Sequence, residues 1–128
     1  IIATANQHIS AIYYDLGDRL FDVHSSLSVI GLNFGGGEVT GSGDDGRGGN
    51  FMVRSGANLT IMRSTILGGA ASTDGGAVHT QAGGTTTIHY STIARNCSYP
   101  EISCAGTGPA VTSAGTRGYW GPAIWIRD

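Results

Sequence analysis

The sequence predicts an all-β fold, a solenoid of about three to four stacked coils. The first observation is a repeat, because "LTIMRSTI" at 59–66 returns as "TTIHYSTI" at 86–93 and has a relative, "LSVIGLNF", at 27–34. The second is composition, since 22 glycines supply turns and the Val, Ile, Thr and Tyr residues favour strands between them. Short strands cannot bury an apolar side alone, but stacked copies can, so the repetition itself favours a solenoid.

The alternation of side chains within each repeat predicts which of them face the interior. Ser28, Thr60 and Thr87 alternate with apolar neighbours, which is the pattern of half-buried strands. The inward parity slips by one residue after Ile61, and this predicts a corner at Met62–Arg63. Two inward columns follow from the register, Val29–Ile61–Ile88 and Phe34–Ile66–Ile93.

A further short strand precedes each of these units. "GGNFMVRSGANL" at 48–59 and "GGAVHTQAGGTTT" at 75–87 share a glycine pair, a short apolar strand and a turn, and "RLFDVHSSL" at 19–27 is their first version. We therefore expect one domain over 1–128. Its predicted parts are repeats at 19–47, 48–74 and 75–96, a loop insertion at 97–120 and a partial final strand at 121–128.

These phrases together resemble a known class of repeats. "GGAVHTQAGGTTTIHYSTIARN" and its partner units are similar to the right-handed parallel β-helix repeats of the pectate-lyase-like superfamily, over 19–96, with an echo in "GPAIWI" at 121–126. The resemblance implies a right-handed parallel β-helix in a secreted bacterial or archaeal surface protein, and hence an extracellular or cell-surface location. It implies no single function, because the superfamily includes lyases, adhesins and large surface proteins.

Charge and hydropathy argue against two classes of partner. The net charge is −2, and the seven basic residues, all Arg, form no basic stripe for nucleic acid. No apolar run approaches the roughly 20 residues of a membrane-spanning helix. We therefore predict no nucleic-acid partner and no membrane span.

The Gly-rich stretch "GSGDDGRGGN" carries the best candidates for chemistry. A polysaccharide lyase holds Ca²⁺ with acidic residues from neighbouring coils and takes a proton with Arg or Lys. Here Asp44, Asp45 and Arg47 lie in one turn, and Asp74 lies in the corresponding turn of the next repeat. A solvated turn is the main interpretation, and a weak structural calcium site at Asp44, Asp45 and Asp74 is the alternative. Glycines on every side disfavour a preorganised catalytic site, so we predict no enzyme and no other cofactor.

Two further features concern covalent modification. Cys97 and Cys104 have neither zinc nor redox spacing, so a local disulfide is the first interpretation, with free thiols or a metal site as alternatives. Asn58 and Asn96 each begin an Asn-x-Ser/Thr triplet and are glycosylation candidates.

Both ends of the sequence read as apolar strands without an amphipathic helix to cover them. An uncovered coil end invites a second copy, which predicts head-to-tail self-association; a piece of a longer solenoid is the competing explanation. Three functions follow: a filament or surface-layer subunit, a carbohydrate-binding or adhesive module of a larger surface protein, and a polysaccharide lyase fragment. The candidate self-association residues are Ile9, Ile12, Tyr13, Tyr119, Trp120, Ile124, Trp125 and Ile126.

Overall fold

The computed structural model describes residues 17–94 and 96 with their side chains, and 11–13, 97–98, 111–113, 116–120 and 124–125 as backbone strands. These residues form short strands and one 3-10 helix, Gly43–Gly46. The strands are β1 (Ala11–Tyr13), β2 (Phe21–Val23), β3 (Ser26–Ile30), β4 (Asn33–Gly35), β5 (Glu38–Val39), β6 (Phe51–Val53), β7 (Asn58–Met62), β8 (Thr65–Leu67), β9 (Ala70–Ala71), β10 (Val78–Thr80), β11 (Thr85–His89), β12 (Thr92–Ala94), β13 (Cys97–Ser98), β14 (Val111–Ser113), β15 (Thr116–Trp120) and β16 (Ile124–Trp125).

The strands are arranged in four sheets. The β4 sheet has the order β1-β4-β8-β12-β16, the β2 sheet β14-β10-β6-β2, the β3 sheet β15-β11-β7-β3 and the β5 sheet β13-β9-β5. Every pairing is parallel and joins strands of successive repeats. The chain is thus all-β with parallel strands stacked in sheets, which is consistent with the predicted parallel β-solenoid.

The predicted register of the inner columns is confirmed. Val29 pairs with Ile61, which pairs with Ile88, and all three are fully buried. The second column pairs as predicted and is equally buried, with Phe34, Ile66 and Ile93. Burial of several such side chains in each layer supplies the main stabilisation, about 1.5–3 kcal/mol for each one.

Aromatic rings fill one corner of the interior. Phe21 and Phe51 stack at a centroid distance of 5.1 Å and an interplanar angle of 10°. Phe34 meets Phe51 edge to face, with centroids 5.4 Å apart. This packing joins the β2 sheet to the β4 sheet across the core.

The corner predicted at Met62–Arg63 is present in three successive repeats. Gly31, Arg63 and Tyr90 all have positive φ angles, of 70°, 48° and 46°. The corners bond to one another, since Gly31 N donates to Met62 O and Arg63 N donates to His89 O, both at 3.0 Å. A positive φ costs an ordinary residue about 1 kcal/mol or more, so the corner tolerates strain at two of its three positions.

The residues after this corner carry the chain back into the core. Leu32, Ser64 and Ser91 are buried, as the inward parity requires. Leu32 N donates to Ser64 Oγ, and Ser64 N donates to Ser91 Oγ, both at 3.2 Å. The two hydroxyls thus satisfy backbone donors of the neighbouring layer.

A fourth strand in each repeat was not predicted. β5, β9 and β13 follow the glycine corners after β4 and β8 and the corresponding turn after β12. Each is only two residues long, too short for an alternation pattern to reveal. Glycine is required at one of these corners, because a Cβ at Gly69 would overlap the carbonyl oxygen of Gly76.

The loop insertion predicted at 97–120 is corrected by the structure. β13, β14 and β15 lie in this range and extend three of the sheets, and β16 extends the fourth. β15 was not predicted because Arg117, a charged residue, occupies the register position of Leu59 and Thr86, so the repeat pattern is interrupted there. The stacked strands therefore continue beyond the predicted third repeat.

Candidate functional site

The predicted self-association residues lie on strands at opposite edges of one sheet. β1 and β16 are the first and last strands of the β4 sheet, and each is paired on one side only among the described residues. β1 contains Ile12 and Tyr13, and β16 contains Ile124 and Trp125. Tyr119 and Trp120 lie on β15, the edge of the β3 sheet. Ile9 and Ile126 lie outside the described residues.

The strand register places two of these residues on one apolar column. Ile12 pairs with Phe34, and Trp125 pairs with Ile93, so both occupy the register of the buried Phe34–Ile66–Ile93 column. Tyr119 pairs with Ile88 and so lies in the register of the other inward column. Ile12 and Trp125 thus extend the register of the same column at opposite edges of the β4 sheet.

The other sheets end at different levels. The β4 sheet has five described strands, the β2 and β3 sheets have four and the β5 sheet has three. Among the described strands, β1 extends one strand beyond β4, whereas β2 and β3 are the last strands of their sheets. At the end that carries β1, the described part of the β4 sheet thus has one strand more than that of the β2 and β3 sheets.

A second candidate lies on the outer side of the β2 sheet, around the segment 40–47, here called the Asp44 loop. Asp44 Oδ1 accepts from Arg47 Nη1 at 3.1 Å, and its Oδ2 accepts from Gln81 Nε2 at 2.5 Å. Arg47 Nε also donates to Asp74 Oδ2 at 3.0 Å. The structure thus brings Asp44 and Asp74 together through one guanidinium, whereas Asp45 is exposed and contributes its carbonyl oxygen.

A bidentate ion pair connects neighbouring strands beside this loop. Arg54 Nε and Nη2 donate to the two carboxylate oxygens of Asp22 at 2.7 and 2.6 Å. The hydrogen bonds from Arg54 lower the pKa of Asp22, and the carboxylate in turn raises the pKa of Arg54. Arg54 Nη1 is also 3.8 Å from Asp44 Oδ2, so the ion pair extends to the Asp44 loop.

Arg19, which belongs to the same repeat as the Asp44 loop, also holds that loop in place. Its Nη2 donates to the carbonyl oxygens of Asp44 and Asp45 at 3.1 and 3.3 Å. Its Nη1 is 3.8 Å from Asp22 Oδ2, which is longer than a hydrogen bond, and finds no other partner within the described part of the chain. The loop is thereby held by Arg19, Asp74 and Gln81, which belong to three different repeats.

The Asp44 loop covers side chains that alternate with the core. Met52 and His79 pair across β6 and β10 and face away from Phe51 and Val78, yet both are buried. Burial lowers the pKa of His79, and the nearby Arg47 lowers it further. Asp74 and Asp44 oppose this shift, but burial outweighs them and favours the neutral imidazole.

Two of the three residues predicted to bind calcium, Asp44 and Asp74, already form ion pairs beside the Asp44 loop. Each of Asp44 and Asp74 already binds the Arg47 guanidinium, which raises the pKa of Arg47. No three acidic, His or Cys side chains are arranged to hold a metal ion within the ranges that the structure describes. Calcium binding at Asp44, Asp45 and Asp74 stays a prediction.

The cysteines and glycosylation candidates have different outcomes. Cys104 and the side chain of Cys97 lie outside the described residues, in which no disulfide is found, so their pairing stays a prediction. Asn58 is exposed at the start of β7. Asn96 is buried, and its Nδ2 donates to Ile66 O and Ala94 O at 2.9 and 2.8 Å. This placement argues against a glycan on Asn96 in the folded chain.

Sequence reasoning missed Asn50, which is fully buried beside Asn96. Asn50 Nδ2 donates to Asn96 Oδ1 at 3.1 Å, and Asn50 Oδ1 accepts from Gly37 N at 3.0 Å. Asn96 Oδ1 also accepts from Gly69 N at 2.8 Å, so the two amides satisfy the backbone at glycine corners.

The charged residues Arg19, Asp22 and Arg54 were also missed, as was Gln81. His24, Arg54 and Gln81 each follow the strand of the β2 sheet in successive repeats. Stacking these positions in register predicts that they are neighbours, and this was the signal available in the sequence.

Comparisons with protein-family models, curated proteins and solved structures find no match to the chain. The kinship with the pectate-lyase-like superfamily therefore remains a resemblance in sequence pattern. Among the residues that the structure describes, no helix has the length and apolar character needed to cross a membrane.

Proposed function

We propose that the chain is a non-enzymatic structural protein of the extracellular space or cell surface, which associates end to end with identical copies. One observation carries the proposal: β1 and β16 are the opposite edges of a single parallel sheet. An edge strand presents backbone N–H and C=O groups that another parallel strand satisfies. β16 of one copy pairs with β1 of the next in this arrangement.

The register of the β4 sheet supports this junction. If the sheet continues between copies, the position of Trp125 meets that of Ile12, and the column of Phe34, Ile66 and Ile93 continues without a polar interruption. A head-to-tail contact of this kind joins different surfaces of identical copies and propagates as an open filament.

The number of described strands in the β4 sheet sets the axial repeat of such a filament. Each copy contributes five described strands to the β4 sheet, and neighbouring strands lie about 4.8 Å apart. The proposed axial repeat is therefore about 24 Å.

The same proposal includes a right-handed coil, kinship with the pectate-lyase-like superfamily and the absence of catalysis. A right-handed coil is supported by the parallel order of the sheets, because connections between parallel strands are right-handed in nearly all proteins. The repeat phrases at 48–59 and 75–87 support kinship with the pectate-lyase-like superfamily. The absence of catalysis is supported by the ion pairs at and beside the Asp44 loop. The carboxylates of Asp22, Asp44 and Asp74 are each paired with a guanidinium, of Arg47 or Arg54.

Electron microscopy of the purified chain tests the proposal. We expect unbranched filaments with an axial repeat of about 24 Å. Trp125→Asp places a charge on the apolar column and is expected to leave short particles with the circular dichroism of the parent. Ala82→Asp adds the same charge at an exposed turn and is the matched control, which should still form filaments. A parent chain that remains monomeric at high concentration would refute the proposal.

A further inference from the structure

Arg63 and Tyr90 form a ridge along the corner that follows the β3 sheet. Both are exposed, and Tyr90, at 57%, is the exposed large hydrophobic side chain of the described region. Arg63 N donates to His89 O, so the two corners lie in adjacent layers. Arg63 makes no ion pair with any described residue. Arg63 and Tyr90 both have a positive φ, which Gly31 adopts at the equivalent corner without strain.

Among the described residues, the surface beside this ridge carries no negative charge. The outward-facing residues of β3, β7 and β11 are Ser26, Ser28, Ile30, Asn58, Thr60, Met62, Thr85, Thr87 and His89. The described carboxylates lie elsewhere, in β2 or just before it, in β5, or in the turns that follow β5 and β9. Two copies can therefore bring this face together without like-charge repulsion, although the chain is negative overall.

We propose that this ridge is a lateral interface with a second copy of the chain. A two-fold axis midway between the layers of Arg63 and Tyr90 exchanges those layers. It places the guanidinium of each copy against the tyrosine ring of the other, so two equivalent cation–π contacts form. The unpaired cation and the exposed ring each gain a partner, and neighbouring hydroxyl and apolar groups such as Thr60 and Met62 pack across the axis.

The side-by-side interface is independent of the end-to-end junction, because it uses the β3 sheet and its corner rather than the edges of the β4 sheet. It goes beyond the proposed function by pairing filaments, or single copies, side by side. The lateral contact is isologous and closes at two copies, whereas the end contact propagates.

Sedimentation equilibrium of the Trp125→Asp chain tests the lateral contact without filament growth. We expect a dimer, and a dissociation constant at least about tenfold higher when Arg63→Gly or Tyr90→Gly is added. Glycine relieves the positive φ, so these variants should melt at the same or a higher temperature, which separates lost association from lost folding.

An exchange of the two residues supplies the matched control. Tyr90→Arg alone opposes two arginines across the axis and should weaken the dimer. The double exchange restores an Arg–Tyr pair on each side and should recover the parent dissociation constant. A monomeric Trp125→Asp chain, or an unchanged dimer after Arg63→Gly, overturns the proposal. If the parent forms no filaments, its own dimer mass gives the same test, so the two proposals fail separately.

Discussion

The inner column of the stack and the charged cluster outside it, formed by Asp22, Asp44, Arg47, Arg54 and Asp74, both connect neighbouring layers, but different interactions stabilise them. In the column, Ile61 packs between Val29 and Ile88, directly above and below it, and all three are fully buried. In the cluster, Arg54 joins Asp22 of one layer and approaches Asp44, while remaining partly exposed. The column is stabilised by removing apolar side chains from water. The cluster is stabilised by ion pairs that remain partly in contact with water.

This difference shows where a parallel stack obtains its stability. Apolar burial needs only the same kind of residue at the same position in each layer, so one pattern serves every repeat. An ion pair between layers needs residues of opposite charge in neighbouring layers, and solvent weakens their attraction. We therefore expect substitutions to cost progressively less from the column to the cluster.

The largest effect is expected inside the column. Ile61→Asp buries a charge without a partner and should cost more than about 4 kcal/mol, enough to prevent folding. Thr60→Asp is its matched control, because the neighbouring side chain faces outward and should change the free energy of unfolding by no more than about 1 kcal/mol. Denaturant unfolding followed by circular dichroism measures both, and equal behaviour of the two variants would contradict the register.

A smaller effect is expected at the buried amides. Asn96→Ala removes the acceptor of Gly69 N and Asn50 Nδ2 and should cost about 2–3 kcal/mol. Asn58→Ala, at an exposed position, is the control and should be close to neutral. If thermal melts show the two variants to be equally stable, the amide contacts are not structural.

The ion pair of Asp22 and Arg54 should contribute less, up to about 1 kcal/mol, because both side chains are partly exposed. The folded pKa of Asp22 is lowered from 3.8, so the stabilisation is complete above that value and is lost as pH falls through the lower folded pKa. The stability difference between the parent and Asp22→Asn should thus shrink as pH falls below about 4. A difference that grows as pH falls below about 4 would contradict this ion pair.

The smallest effect is expected for His79. Its folded pKa lies below 6.5, so the unfolded chain binds a proton first as pH falls through 6.5 and the folded state loses stability there. The melting temperature of the parent should therefore fall relative to that of His79→Gln between pH 7.5 and 5.5. His24→Gln, which removes an exposed imidazole, is the control. A parent that gains stability relative to His79→Gln on acidification would contradict the burial of a neutral imidazole.

The sequence predicted the column well because alternation and repetition are local and redundant. The same alternation occurs in three repeats, and it identifies the register of Val29, Ile61 and Ile88. The β5 sheet left no such signal, since a two-residue strand such as Ala70–Ala71 has no period to detect. The cluster was only partly predicted. Asp44 and Asp74 stand in evident Asp-Gly turns, whereas Arg19 and Arg54 reach Asp44 from other parts of the chain through long side chains. Such contacts depend on three-dimensional proximity rather than on local pattern.

In-register parallel stacking of the repeats is the premise of the fold, the junction and the ridge alike, and paired cysteines test it most directly. Thr60 and Thr87 are register partners on adjacent strands. Their Cα atoms therefore lie about 5 Å apart, within the range that a disulfide spans. Thr60→Cys combined with Thr87→Cys should form a disulfide under mild oxidation, identified by mass spectrometry of unreduced peptides. Thr60→Cys combined with Thr85→Cys, two residues out of register, should remain largely reduced. Preferential cross-linking of the second pair would contradict the stacking of the repeats.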